Sequence, residues 1–108
     1  MHKNHDEWIG QLARIKNSVC AEFNITLLDL ESKRRSQPLI APRHICMWLC
    51  RKLTLASLPV IGRSIGDRDH TTVIYGIRNA EDMMSVNAEL RMRVENFLSR
   101  WNNEKAAQ

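Results

Sequence analysis

A chain of 108 residues and 12.5 kDa, 44% hydrophobic and 26% charged, has material for one domain with one modest core. It is too short for an ATPase of ~200 residues or for a dinucleotide-binding enzyme with a separate substrate domain. A net charge of +4 and a pI near 9.3 favour anionic partners, and no apolar run approaches the ~18 residues of a membrane span.

In chain order, helical spacing dominates and period-two alternation is not sustained anywhere. The start, Met1-His2-Lys3-Asn4-His5, lacks the apolar stretch of a signal peptide. Trp8, Leu12, Ile15, Val19 and Phe23 make one apolar stripe on a first helix, which Asn24 interrupts. Thr26 and Asp29 are spaced as a capping box for a short helix over 26–31, with Leu27, Leu28 and Leu30 expected to face inward. Ser32 to Ala41 is expected as a loop, basic at Lys33-Arg34-Arg35 and broken by Pro38. Pro42 suits the first position of a third helix running to about Thr54, with Ile45, Leu49 and Leu53 on one side.

Ser57 reads as the N-cap of a short helix carrying Leu58, Ile61 and Ile65, with Pro59 tolerated in its first turn. Gly66 ends it by supplying a left-handed residue, and Asp69 caps the next helix, which places Val73, Ile74, Ile77 and Met84 inside. A last helix over about 87–101 buries Leu90, Val94, Phe97 or Leu98, and Trp101, and Asn102 to Gln108 is expected as a fraying polar tail. The reading is therefore all-α: a single six-helix domain with a helix-turn-helix. Residues 1–13 extend its first helix, 14–101 form the domain and 102–108 the tail.

Cys20, Cys46 and Cys50 are odd in number and lack framework spacing, which fits a reducing compartment without structural disulfides. Cys46 and Cys50 stand four apart beside His44. A lone i, i+4 pair reads as small core filling, so neither a metal nor another cofactor is expected. A cytoplasmic protein is the expectation, with no membrane contact.

The charge is concentrated. Residues 33–72 hold eight of the sixteen Lys and Arg against two of the twelve Asp and Glu. Residues 1–32 carry three cations against five anions, and 73–108 carry five of each. Such a basic middle third suits a phosphate-binding surface. Two helices joined by Gly66-Asp67-Arg68 within that third form a helix-turn-helix candidate, whose second helix would enter a major groove N-terminus first. The residues at that end are Asp69, His70, Thr71 and Thr72. Asp69 can accept from a cytosine amino group, His70 can donate or accept, and Thr71 can touch a thymine methyl. Plain capping by Asp69 and a solvated His70 are the competing readings of each residue alone; with the basic flank, DNA reading prevails.

The run Ile61-Gly62-Arg63-Ser64-Ile65-Gly66-Asp67-Arg68-Asp69-His70-Thr71-Thr72-Val73 resembles the signature of the C-terminal DNA-binding domain of the bacterial chromosomal replication initiator family, DnaA. The likeness extends through Ser32-Lys33-Arg34-Arg35-Ser36, Pro42-Arg43 and Leu58-Pro59, and on to Arg78, over roughly residues 14–101. It implies a Trp-repressor-like helical fold that binds a short, asymmetric, A·T-rich box of double-stranded DNA as a monomer. It implies Arg35 in the minor groove, where a narrow A·T-rich groove attracts a guanidinium. Asp69, His70 and Thr71 match the major-groove readers and Thr72 a phosphate contact. Arg43, Arg51, Thr54, Leu58 and Pro59 match positions that meet the sugar–phosphate backbone, and Arg68 joins the DNA-facing set. Four positions depart from the family pattern: Gln37 stands where Arg is frequent, His44 for Gln, Asp67 for Gly and Asn79 for Lys.

No Gly-x-x-x-x-Gly-Lys-Ser/Thr occurs in the chain, so ATPase activity is not expected. No paired carboxylates or Ser/His/Asp or Cys/His arrangement stands out from helix-surface chemistry, so an enzyme is not expected. The expected function is sequence-specific DNA binding in replication initiation or its control, by a protein located on the nucleoid. The alternatives are a helical interaction domain whose basic face binds an acidic protein, and a transcriptional regulator built on the same DNA-binding module.

Overall fold

The computed structural model describes residues 5–107, which form six helices and, among the described residues, no strand. Helix α1 (His5–Phe23) buries Leu12, Ile15 and Val19 completely, with Trp8 and Phe23 half-buried at either end of the stripe. It stops where Asn24 turns left-handed at φ 55°, a conformation Asn tolerates better than most residues. The Ile25 amide then donates to the Cys20 carbonyl at 3.0 Å and closes the last turn. Helix α2 (Leu27–Glu31) starts with the expected capping box: Thr26 Oγ1 accepts from the Asp29 amide at 3.0 Å and Asp29 Oδ2 from the Thr26 amide at 3.4 Å. Only Leu30 of its three leucines faces inward; Leu27 is exposed and Leu28 is 80% exposed. A helix of five residues offers its neighbours one inward position, so the three-leucine expectation is corrected.

Helix α3 (Gln37–Leu53) begins five residues before the expected start at Pro42. Pro38 takes the first-turn position and Pro42 lies inside the helix, where its ring removes the N–H that would have bonded the Pro38 carbonyl. Pro38 is exposed, so that carbonyl can take water, while Leu39, Pro42 and Arg43 are buried and hold the first turns against the core. The segment from 37 to 41 is thus helix, and the basic loop shrinks to residues 32–36. Helix α3 is the central element, packed against α1, α2 and the two helices that follow it. Cys46 and Cys50 are fully buried free thiols within this core, and a hydrogen bond with Cys50 together with burial pushes the Cys46 thiol up.

Helices α4 (Leu58–Ser64) and α5 (His70–Val86) form the helix-turn-helix. Helix α6 (Ala88–Ala107) is capped by Asn87, whose Oδ1 accepts from the Leu90 amide at 3.0 Å. It buries Leu90, Val94, Phe97 and Trp101, with Leu98 half-buried. The expected polar tail instead continues this helix to Ala107; Gln108, with residues 1–4, lies outside the described residues. No Pro or Gly interrupts 102–107, and Glu104 pairs with Arg14 of α1 at 3.3 Å while the Arg14 guanidinium lies over the Trp101 ring. No described helix is long and apolar enough to cross a membrane.

Candidate nucleic-acid interface

The sharp turn between α4 and α5 is built from local rules. Ser57 Oγ accepts from the Val60 amide at 3.3 Å, with Pro59 in the first turn of α4. After Ile65 the chain takes two successive left-handed residues, Gly66 at φ 71° and Asp67 at φ 56°. The Arg68 amide folds back onto the Gly62 carbonyl at 2.8 Å. A Cβ on Gly62 would lie 2.0 Å from the Arg68 carbonyl oxygen, so only glycine allows this approach. Asp69 then caps α5, its Oδ1 accepting from the Thr72 amide at 2.9 Å. That backbone hydrogen bond, joined by one from the Thr72 side chain, holds the Asp69 carboxyl below the usual carboxylate range. It is therefore an anion whose second oxygen remains an acceptor.

Val73 anchors the start of α5 in the core, and Gly76 and Ala80 are buried where the helix crosses α3. The crossing is close: a Cβ on Gly76 would stand 2.4 Å from Met47 Sδ and 3.0 Å from His44 Cδ2. With that face buried, Asp69, His70, Thr71 and Thr72 are all exposed at the opposite side of the first turn.

Beside them the loop 32–36 and α3 enclose a cleft of about 520 Å³. Lys33, Arg34, Arg35, Arg43 and Arg68 line it, with His44, Thr72 and Tyr75 and no carboxylate. A concave surface with cations of one sign focuses its field on an anion. Arg35 is exposed at its rim. Arg43 is different: only 6% exposed, it donates from Nε to the Leu30 carbonyl at 3.0 Å and from Nη2 to the Asp29 carbonyl at 2.8 Å and Ser32 Oγ at 2.9 Å. Its Nη1 donates to the Arg34 carbonyl. Burial, with Arg68 and Arg34 nearby, lowers its pKa. Arg43 thus brackets the loop onto α3, with four of its donors on this chain.

Pro59, Arg63, Asp67, Arg68, Asp69 and His70 border a second, shallower cleft at the tip of the motif. Arg51, Thr54 and Leu58 border neither cleft. Arg51 is exposed, its Nη1 donating to the Ala56 carbonyl at 3.5 Å. Thr54 is buried: its Oγ1 donates to the Cys50 carbonyl at 2.7 Å and accepts from the Ala56 amide at 3.1 Å, ending α3.

Three residues absent from the expected set border the cleft or support it. Tyr75, 66% exposed, follows Thr71 by four residues and Thr72 by three, on the same side of α5. Its ring meets His44 edge-on at 5.7 Å between centroids. Asn79 Nδ2 donates to His44 Nδ1 at 2.8 Å, which leaves the His44 proton on Nε2. Burial, with Arg68 and Arg43 nearby, keeps His44 below its usual pKa and so neutral. Two of the four departures from the family pattern, His44 and Asn79, are therefore partners of each other. The signals in the sequence for this group were the spacing of Tyr75 from the threonines and the departures at His44 and Asn79.

Residues 12–80 match the family described as bacterial dnaA protein helix-turn-helix. The chain belongs to that family. It is 36% identical to the chromosomal replication initiator protein DnaA of Brucella abortus over 94% of its length, covering 23% of that protein. It is 44% identical to DnaA of Ehrlichia ruminantium over 80% of its length, covering 18% of that protein. Among solved structures it resembles a DNA replication initiation factor with a TM-score of 0.77 at 31% identity, over 93% of this chain and 30% of the other. The chain thus spans less than a quarter of the DnaA relatives it matches, in the part that carries their helix-turn-helix.

Proposed function

We propose that this DnaA-family domain binds double-stranded DNA sequence-specifically, as a monomer on an A·T-rich initiator-type box, and acts in replication initiation or its control without ATPase activity of its own. The observation that carries the reading is the first turn of α5. Its buried face is fixed by Val73, Gly76 and Ala80, and its free face shows only short polar side chains beside a carboxylate-free basic cleft. In this reading Asp69, His70 and Thr71 meet base edges in the major groove and Thr72 a phosphate. Arg35 enters the adjacent minor groove. Arg51 and the start of α4 at Leu58 and Pro59 lie along the sugar–phosphate backbone, which positions the domain without reading sequence. Arg43 and Thr54, whose polar groups are engaged within the fold, support that surface by holding the loop and the end of α3. Arg68 is assigned its role below.

The test is a binding titration of the domain on an A·T-rich initiator box and on a scrambled duplex of equal composition, at stated salt. Binding to the box about a thousandfold tighter or more is expected of specific recognition. Equal binding to both, with steep salt dependence, would instead indicate a basic face that takes any polyanion, an acidic protein included.

A further inference from the structure

The two readers in this proposal sit on different elements, and the structure joins those elements at one place. Gly66 lies so near the end of α2 that a Cβ on it would stand 2.0 Å from the Glu31 carbonyl oxygen. Cations lace the two backbones together around this contact. Lys33 Nζ reaches across to the Gly66 carbonyl and, at 3.3 Å, to that of Asp67. Arg68 reaches back: Nη2 donates to the Ser32 carbonyl at 2.7 Å, and Nη1 to the carbonyls of Ile65 at 2.7 Å and Glu31 at 3.5 Å. Lys16 of α1 bridges the same segments through the Glu31 carboxylate and the Ser64 carbonyl, both at 2.8 Å. All but one of these acceptors are main-chain carbonyls, so the lacing fixes backbone to backbone. On the other side Arg43 grips the Arg34 carbonyl. Arg35 is the next residue, so the main chain is held up to the residue that carries the exposed guanidinium.

Resting on the DNA reading above, we infer that Lys33 and Arg68 are positioning residues. They set the distance between Arg35 and the His70–Thr71 end of α5, so that the A·T-rich flank is accepted at one spacing from the bases read in the major groove. Successive base pairs rise by about 3.4 Å along the duplex. An arm whose root is hydrogen-bonded to the turn of the helix-turn-helix on one side and to Arg43 of α3 on the other cannot shift its backbone by that amount, so a displaced flank can be met only by the Arg35 side chain leaving its preferred rotamer. Arg68, with its Nη atoms on three carbonyls, acts through the arm and not as a phosphate ligand in its own right.

Fluorescence-anisotropy titrations of the intact chain test this with two duplexes, one carrying the A·T-rich initiator box and one with its A·T flank displaced by one base pair, over a series of salt concentrations. Wild type is expected to bind the displaced duplex about tenfold more weakly, the scale of one lost base-pair contact. Arg68→Gln and Lys33→Met should bind the two duplexes within about threefold of each other, with the salt slope unchanged from wild type. Lys33 is exposed, so its variant keeps the fold even if Arg68→Gln unfolds, and a thermal melt of each verifies this. Variants that retain the tenfold preference overturn the inference. So does a uniform loss on both duplexes with a slope lower by about one, the mark of a direct phosphate contact. A wild type indifferent to spacing that still prefers the box to a scrambled duplex rejects the lacing alone, whereas indifference to the box itself rejects the DNA reading beneath it.

Discussion

The first turn of α5 is seated on apolar neighbours, with Val73 fully buried and Gly76 set against Met47, whereas the arm at 33–35 is held by Lys33, Arg43 and Arg68 on main-chain carbonyls. Both regions belong to one surface, yet salt and substitution should act on them differently. Apolar seating is indifferent to ionic strength, and a larger side chain breaks it abruptly. Polar lacing tolerates change in volume but leaves unpaired carbonyls when a donor is removed. The comparison also corrects a count. Eight cations in residues 33–72 suggest eight groups for phosphate, but Lys33, Arg43 and Arg68 each make two or more hydrogen bonds to the protein's own backbone, and Arg51 makes one.

The tight turn that sets α5 in its apolar seat gives the largest expected effect. Gly62→Ala puts a Cβ 2.0 Å from the Arg68 carbonyl oxygen, a main-chain atom that cannot swing aside. A loss of about 3 kcal/mol or more is expected in urea denaturation; a loss below about 1 kcal/mol would show that the turn is looser than described. Next is the arm's bracket. Arg43→Met keeps much of the side-chain volume and removes donors to three carbonyls and Ser32 Oγ, which should cost about 2–4 kcal/mol of stability. Thermal unfolding of the variant checks this, and an unchanged midpoint would return Arg43 to the surface role implied by the family pattern.

These positions also show what the sequence could reveal. The caps at Thr26, Ser57 and Asp69 and the stop at Gly66 were legible because each is decided within four residues. The start of α3 was not, because Pro42 satisfies the local rule for a first helical position equally well. Burial of Leu39, Pro42 and Arg43 against distant segments decides for Gln37. The exposed readers were legible through their chemistry and the family signature. The role of Arg43 was not, since a sequence shows a cation but not where its donors point. The contact between His44 and Asn79 joins residues 35 apart and is invisible to any local pattern.

A smaller effect probes the arm alone. Arg35→Ala should cost about 1–2 kcal/mol on a box with an A·T flank and less on one with G·C pairs there, where the guanine amino group already obstructs the minor groove. Equal losses in parallel titrations would make Arg35 an ordinary phosphate contact. The smallest change touches the turn. Asp67 holds φ 56°, a left-handed conformation that glycine adopts without strain. Asp67→Gly should therefore raise stability by roughly 0.5 kcal/mol, net of glycine's greater unfolded-state entropy, with box preference unchanged. A calorimetric melt of the variant at matched pH measures the gain, and a decrease would show that the Asp67 side chain contributes more than its backbone conformation costs.

Side-by-side titrations of wild type, His70→Ala and Arg51→Ala on box and scrambled duplexes, repeated over a salt series, test the central claim most directly. His70→Ala should lose about 1–3 kcal/mol on the box and little on the scrambled duplex, so that sequence preference collapses at an unchanged salt slope. Arg51→Ala should weaken both duplexes alike and lower the slope by about one. If His70→Ala instead weakened box and scrambled DNA equally, the exposed turn at the start of α5 would not be reading bases, and the assignment of α5 to the major groove would be wrong.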